Sequence, residues 1–210
     1  YLNNGYVSEE KKKIIRKVIE ETGYQPSSQA QMLRTKKTKL VGVILPKIDS
    51  NTISREVAGI SDILTKKGYQ LILANTNNNI EEELKYLSLF KDNQVDGVIF
   101  IATILTKQHR DMLKEYKVPI VLLGQRLEGY PCIFQDDQKA AMTLTEQMVK
   151  TGSKFGYITV TDKDEAVGRK RMSGVEEIPS KNKIEFGSEY VKCGDFTLES
   201  GYETAGELFG

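Results

Sequence analysis

From residue 40 onward the chain keeps repeating one unit: a short apolar run, a polar bend, then apolar residues at helical spacing. LVGVILP, beginning at Leu40, is β-branched and apolar throughout, which is the pattern of a parallel strand covered on both faces. Further strands are expected at 69–75 (YQLILAN), 95–101 (VDGVIFI), 118–124 (VPIVLLG), 155–160 (FGYITV) and 184–191 (IEFGSEYV). Helices are expected between them. One covers 53–67 with Val57, Ile60 and Leu64 inward, and one covers 81–92 with Leu84, Leu87 and Phe90 as its face. Others cover 107–116, 138–150 (Ala141, Leu144 and Met148 inward), 169–177 (stopped near Pro179) and 199–209. Strand and helix in alternation argue for an α/β fold of right-handed βαβ units with a mostly parallel sheet. Four units fill residues 40–151, a first subdomain. The second series, 152–210, has only two strands, a poor sheet by itself, and is expected to be part of a larger subdomain.

Residues 1–39 follow another pattern. Asn3-Asn4-Gly5 is turn chemistry, and Ser8 is placed to cap a helix whose first turn carries Glu9 and Glu10, where the helix dipole favours acids. Ile14, Ile15, Val18 and Ile19 form one apolar stripe, and Gly23 is placed to end the helix. A lone helix of about 15 residues is marginal in water, so this stripe is expected to pack on more of a small domain than residues 1–25 hold. Pro26 then opens a polar stretch, PSSQAQML, with nothing to make it helical alone, and the cationic run RTKKTK follows. Residues 1–40 hold nine basic and four acidic residues, an excess of +5. The other 170 carry −4, giving the overall net charge of +1. A basic head on an acidic body suits nucleic acid.

At 39% hydrophobic the chain can bury a core, and it has no apolar stretch long enough to span a bilayer. Cys132 and Cys193 are too far apart for a disulfide framework or a metal cluster, and read as free thiols of a cytoplasmic protein.

In open α/β sheets ligands bind beyond the carboxyl ends of the strands. The polar residues expected there are Asp49, Ser50 and Asn51; Asn75, Thr76 and Asn77; Thr103; Gln125 and Arg126; Asp136 and Asp137; and Thr161 and Asp162. Such side chains bind vicinal hydroxyls in bidentate fashion, which suits a polyol or sugar, although the same residues also cap helices. Enzyme signals are weak. Neither GxGxxG, nor GxxxxGK followed by Ser or Thr, nor GxSxG occurs. The single histidine, His109, is expected on the surface of its helix, and Asp162, Asp164 and Glu165 are expected as helix-start charges rather than metal ligands. No catalytic group, metal or cofactor is expected.

The order of these features carries a resemblance. NNGYVSEEKKKIIRKVIEETGYQPSSQAQMLRTKKTKLVGVILP, GYQLILANTNNNIEEELKYLSLFKDNQVDGVIFI, VPIVLLGQR, AVGRKRMSG and GDFTLESGYETAGELF together resemble LacI/GalR-type bacterial transcriptional repressors over essentially the whole chain. The resemblance implies a periplasmic-binding-protein-like clamshell of two Rossmann-like parallel-sheet subdomains. It would be preceded by the end of a helix-turn-helix headpiece (1–25) and by a hinge helix with a basic linker (26–39). It implies a sequence-specific repressor, a homodimer on palindromic operator DNA, controlled by a sugar or sugar phosphate bound between the subdomains. Ser28, Gln29, Ala30, Leu33 and Arg34 would contact DNA, with Leu33 wedged into a minor-groove base step. Arg34, Lys36, Lys37 and Lys39 would add phosphate attraction. Arg171 would clamp sugar hydroxyls, Phe196 would stack on the ring, and Asp136 or Asp137 would supply a strand-end acid. Asn75, Gln125 and Asp49 complete the expected effector set. The alternative is an exported sugar receptor without DNA binding, which would have no use for the YVSEE helix or for QAQML. The chain departs from the family pattern twice: the loop IDSNTIS lacks the aromatic pair of many relatives, and IPS is expected to interrupt the helix after RMSG.

Overall fold

The computed structural model describes residues 6–24, 35–93, 95–152 and 154–209, which divide into two compact units, 1–38 and 39–210. In the first unit, helix α1 covers Glu9–Thr22. Ser8 sits at its N-cap, though without a side-chain cap bond, and Gly23 closes it at φ +63, a left-handed conformation that glycine adopts without cost. No residue of α1 is buried, and Ile14 and Val18 are exposed along the apolar stripe. The stretch 26–34, with Ser28, Gln29, Ala30, Leu33 and Arg34, lies outside the described residues.

The second unit opens with a five-stranded, all-parallel sheet of β1 (Leu40–Leu45), β2 (Gln70–Asn75), β3 (Gly97–Ile101), β4 (Ile120–Leu123) and β5 (Cys132–Ile133). The strand order is β2-β1-β3-β4-β5, so the direction of winding reverses between β1 and β3. Although β1 is apolar throughout, its pleat still sorts it. Val43 and Leu45 pack with α2 (Asn51–Lys66), through Ile53, Val57 and Ile60. Ile44 packs on the other face among Leu87 and Phe90 of α3 (Ile80–Asp92) and Leu113 of α4 (Lys107–Lys114). A Cβ at position 42 would stand 2.5 Å from the Phe90 ring, so Gly42 is what lets α3 lie close on the sheet.

The remaining strands, β6 (Tyr157–Thr159) and β7 (Val191–Cys193), pair in parallel. Around them lie α5 (Asp137–Thr151), a π-helical turn (Glu165–Lys170) running directly into α6 (Arg171–Asn182), and α7 (Leu198–Phe209). Helix α5, counted from sequence with the first subdomain, packs on α6. Gly174 admits the contact, since a Cβ there would collide with the Gln138 carbonyl.

Four expectations are corrected. Helix α6 does not stop at Pro179. It runs to Asn182, with Pro179 buried in its last turn and Lys183 ending it at φ +55, so IPS interrupts nothing. The strand expected at 184–191 is instead a 3-10 turn (Ser188–Tyr190) followed by β7. Phe186 stacks between Phe155 (4.9 Å) and Tyr190 (6.4 Å), a ring column that holds the segment without a ladder. Leu144 and Met148 do not point into a core: they are exposed beside a groove between α5 and β6. His109 is fully buried rather than on the surface. No helix among the described residues is long and apolar enough to cross a membrane.

Candidate functional site

A cleft of about 630 Å³ opens where the five strands end, at the reversal in strand order. The loop after β1 brings Lys47, Asp49 and Ser50 to it, and the first turns of α2 bring Thr52 and Glu56. Thr103 and Gln125 follow β3 and β4, and Phe134 follows β5. The other wall comes from Asp137 at the start of α5, Asp164 and Val167 at the π-helical turn, Arg171, and Phe196 after β7.

Two polar contacts organise it. The Arg171 Nε donates to Asp137 Oδ1 at 2.7 Å; Asp137 is buried, whereas the Arg171 side chain is 41% exposed, so the guanidinium is fixed at its base and accessible at its outer edge. The second contact crosses the cleft. Gln125 Nε2 donates to the Thr103 carbonyl at 2.7 Å and to Asp164 Oδ1 at 2.8 Å. Asp164 Oδ1 also accepts the N–H groups of Ala166 and Val167, which caps the π-helical turn and holds it against the first lobe. The cap accounts for Asp164 as a helix-start charge, and its bond to Gln125 adds a role that spacing alone does not reveal. A π-helical turn immediately before Arg171 is a local irregularity of the kind often found at binding sites.

Phe196 is held by its neighbours. Asp195 Oδ1 accepts the Thr197 hydroxyl at 2.5 Å and the Thr197 N–H at 2.7 Å, and the Asp195 N–H donates to Ser200 Oγ at 2.9 Å. The Thr197 hydroxyl bond, then the N–H bond and more weakly the charge of Lys47, keep the Asp195 carboxyl below its ordinary value despite some desolvation. Glu56 has the opposite problem: burial pushes its carboxyl above its ordinary value.

Of the residues expected to bind an effector, Arg171, Asp137, Gln125, Asp49 and Phe196 line this one cleft. Asp136 does not. It caps α5, accepting the Lys139 N–H at 3.1 Å, and resolves the ambiguity with Asp137 in favour of the latter as the cleft acid. Asn75 does not line the cleft either. Its Oδ1 accepts the Ile48 N–H at 3.0 Å and its Nδ2 donates to Asn77 Oδ1 at 2.8 Å, so it ties the β1 and β2 loops together from behind. Glu56 and Phe134 were missed from sequence. Glu56 sits on a helix already assigned an apolar face, and Phe134 follows a strand too short to announce itself. Phe134 supplies the cleft with a second ring that the loop IDSNTIS lacks.

Residues 38–210 match the family described as periplasmic binding proteins and sugar binding domain of LacI family. The chain belongs to that LacI-type family. It is 33% identical over 176 residues to the sucrose operon repressor of Staphylococcus xylosus, a match covering 83% of this chain and 55% of that protein. It is 32% identical over 209 residues to catabolite control protein A of Priestia megaterium, covering 98% of this chain and 63% of that one. Among solved structures, the transcription regulator CcpA of Lactococcus lactis superposes with a TM-score of 0.74 at 34% identity, over 80% of this chain and 63% of that one. A CelR–cellobiose complex shares the fold at a TM-score of 0.69 and 23% identity, over 98% of this chain and 63% of that one. The chain thus spans less than two thirds of the length of each of these four proteins.

Proposed function

We propose that the chain is the sensing part of a cytoplasmic DNA-binding repressor whose operator affinity is set by a sugar or sugar phosphate in the cleft, and that it is not an enzyme. The observation that carries this reading is the cleft itself: a braced arginine–carboxylate pair and two aromatic rings, walled by two lobes that Gln125 and Asp164 join across it. An arginine offers paired donors to adjacent hydroxyls, a ring offers a flat apolar face to the C–H side of a sugar, and nothing in the set pairs a nucleophile with a base. The names of the relatives, a sucrose operon repressor and catabolite control protein A, support the regulatory part.

DNA contact would fall to Ser28, Gln29, Ala30, Leu33 and Arg34 in the basic head, with Leu33 entering the minor groove. Residues 26–39 would serve as hinge and linker, and residues 1–25 as the end of a helix-turn-helix headpiece. A homodimer on a palindromic operator fits a chain whose edge strand β2 exposes Ile72 and Leu73. The test is retention of palindromic operator DNA by the full chain at low salt, titrated with sugars. Binding that a sugar shifts supports the proposal; DNA binding indifferent to every sugar and sugar phosphate contradicts it.

A further inference from the structure

We propose that the cleft selects an uncharged polyhydroxylated ligand over its phosphate ester, and that Glu56 is a binding residue which accepts a ligand hydroxyl. This rests on the sensing role given to the cleft above. Four carboxylates line it, Asp49, Glu56, Asp137 and Asp164, against two cations, Lys47 and Arg171. One of the two cations, Arg171, is already bonded to Asp137. Lys170 stands 5.8 Å over the Phe134 ring and is not part of the lining.

Helix N-termini are the other usual cradle for a phosphate. The N–H groups of Ala166 and Val167, which start the π-helical turn on the cleft wall, are taken by the Asp164 carboxylate. The first turn of α2 is not capped by the Ser50 side chain, but Glu56 follows on the same wall and repels an anion brought there. The arrangement therefore offers carboxylate acceptors for hydroxyl donors and places a net negative charge where a phosphoryl group would sit.

Glu56 stands out among these acids. Its Oε2 is sealed from solvent with no hydrogen-bond partner. An unpaired buried carboxylate oxygen is costly, and turning the side chain toward the cleft it lines, to meet a ligand O–H, relieves that cost. Asp137 and Asp164 already accept fixed donors.

The experiment is calorimetric titration of the full chain with glucose, fructose, sucrose and cellobiose, and with the phosphate esters of the first three. The expected result is binding of at least one neutral sugar, with its ester at least about tenfold weaker, since a like charge against desolvated carboxylates costs more than a factor of ten. Glu56→Gln should weaken the neutral sugar by about tenfold and narrow the gap to the ester, because a hydrogen bond to a charged acceptor exceeds one to a neutral acceptor by about that factor. The ratio of ester to parent is read on the unmodified chain, so it stands even if the variant folds poorly. An ester that binds more tightly than its parent overturns the proposal and leaves the sensing role intact. A neutral sugar whose affinity is unchanged in folded Glu56→Gln removes Glu56 from the site. If no sugar of either kind binds, the sensing role itself falls, and this inference with it.

Discussion

At Arg171 one bond sets what the cleft can offer a ligand. Its Nε holds Asp137, a carboxylate 4% exposed, and its outer edge faces the cleft. Arg171→Ala should lower sugar affinity by about 2 kcal/mol, or roughly thirtyfold, and should also lower the melting temperature because Asp137 is left buried and unpaired. Calorimetry and thermal melts separate the two effects. Glu56 should behave in the opposite sense. Its folded pKa is raised by burial, so the charged form opposes folding; that penalty is present above the raised pKa and disappears as pH falls through it toward the ordinary carboxylate range. Ligand-free Glu56→Gln should therefore melt higher than the parent at neutral pH, with the advantage shrinking in acid. His109 is a structural residue. Its Nδ1 accepts the Thr106 N–H in a capping box and sits 2.8 Å from the Thr106 hydroxyl, which leaves the proton on Nε2, 3.1 Å from Glu83 Oε2. That last approach is too far off-line for a regular hydrogen bond, yet both groups are fully buried and Phe100 stacks on the imidazole at 5.7 Å. His109→Ala should cost about 3 kcal/mol of stability in denaturant titrations, by opening a cavity and removing the acceptor of the Thr106 N–H, without changing sugar affinity in the folded fraction.

Among the elements, those whose burial is decided locally were legible in the sequence. The β1 to β4 strands and the α2 and α3 helices lie within a few residues of where apolar periodicity puts them, because each packs against its chain neighbours. Where a distant partner decides, the sequence misleads. FGSEY follows a ring column with Phe155 instead of a strand, and a burial site for Pro179 outweighs its tendency to stop a helix. The site divides in the same way. Arg171, Phe196, Gln125, Asp49 and Asp137, which line the candidate cleft, were legible as strand-end or motif residues, whereas Asp136 and Asn75, read the same way, bond to the protein outside it. That Asp137 rather than Asp136 enters the cleft, and that Glu56 does, follows from helix phase and lobe packing. Gly174 belongs to this scale, since it lets α6 meet α5 where Arg171 must reach Asp137. Gly174→Ala should force the two helices apart, costing about 1 to 3 kcal/mol as an overpacking change, and should weaken sugar binding in proportion to the displaced arginine. A melt paired with calorimetry checks both.

For the whole molecule the proposed mechanism is linkage between cleft and DNA. Under the proposed function, a ligand that engages both walls of the cleft biases that arrangement and, through it, what the head of the protein binds. Opening of the cleft must break the Gln125–Asp164 bond. Linkage is reciprocal: the factor by which sugar changes operator affinity must equal the factor by which operator changes sugar affinity. The deciding measurement is therefore a pair of binding constants, operator with and without saturating sugar, and sugar with and without saturating operator, all on the full chain at one salt concentration. Two equal factors are expected, each on the order of five to a hundredfold. A sugar that fills the cleft while leaving operator affinity unchanged would contradict it.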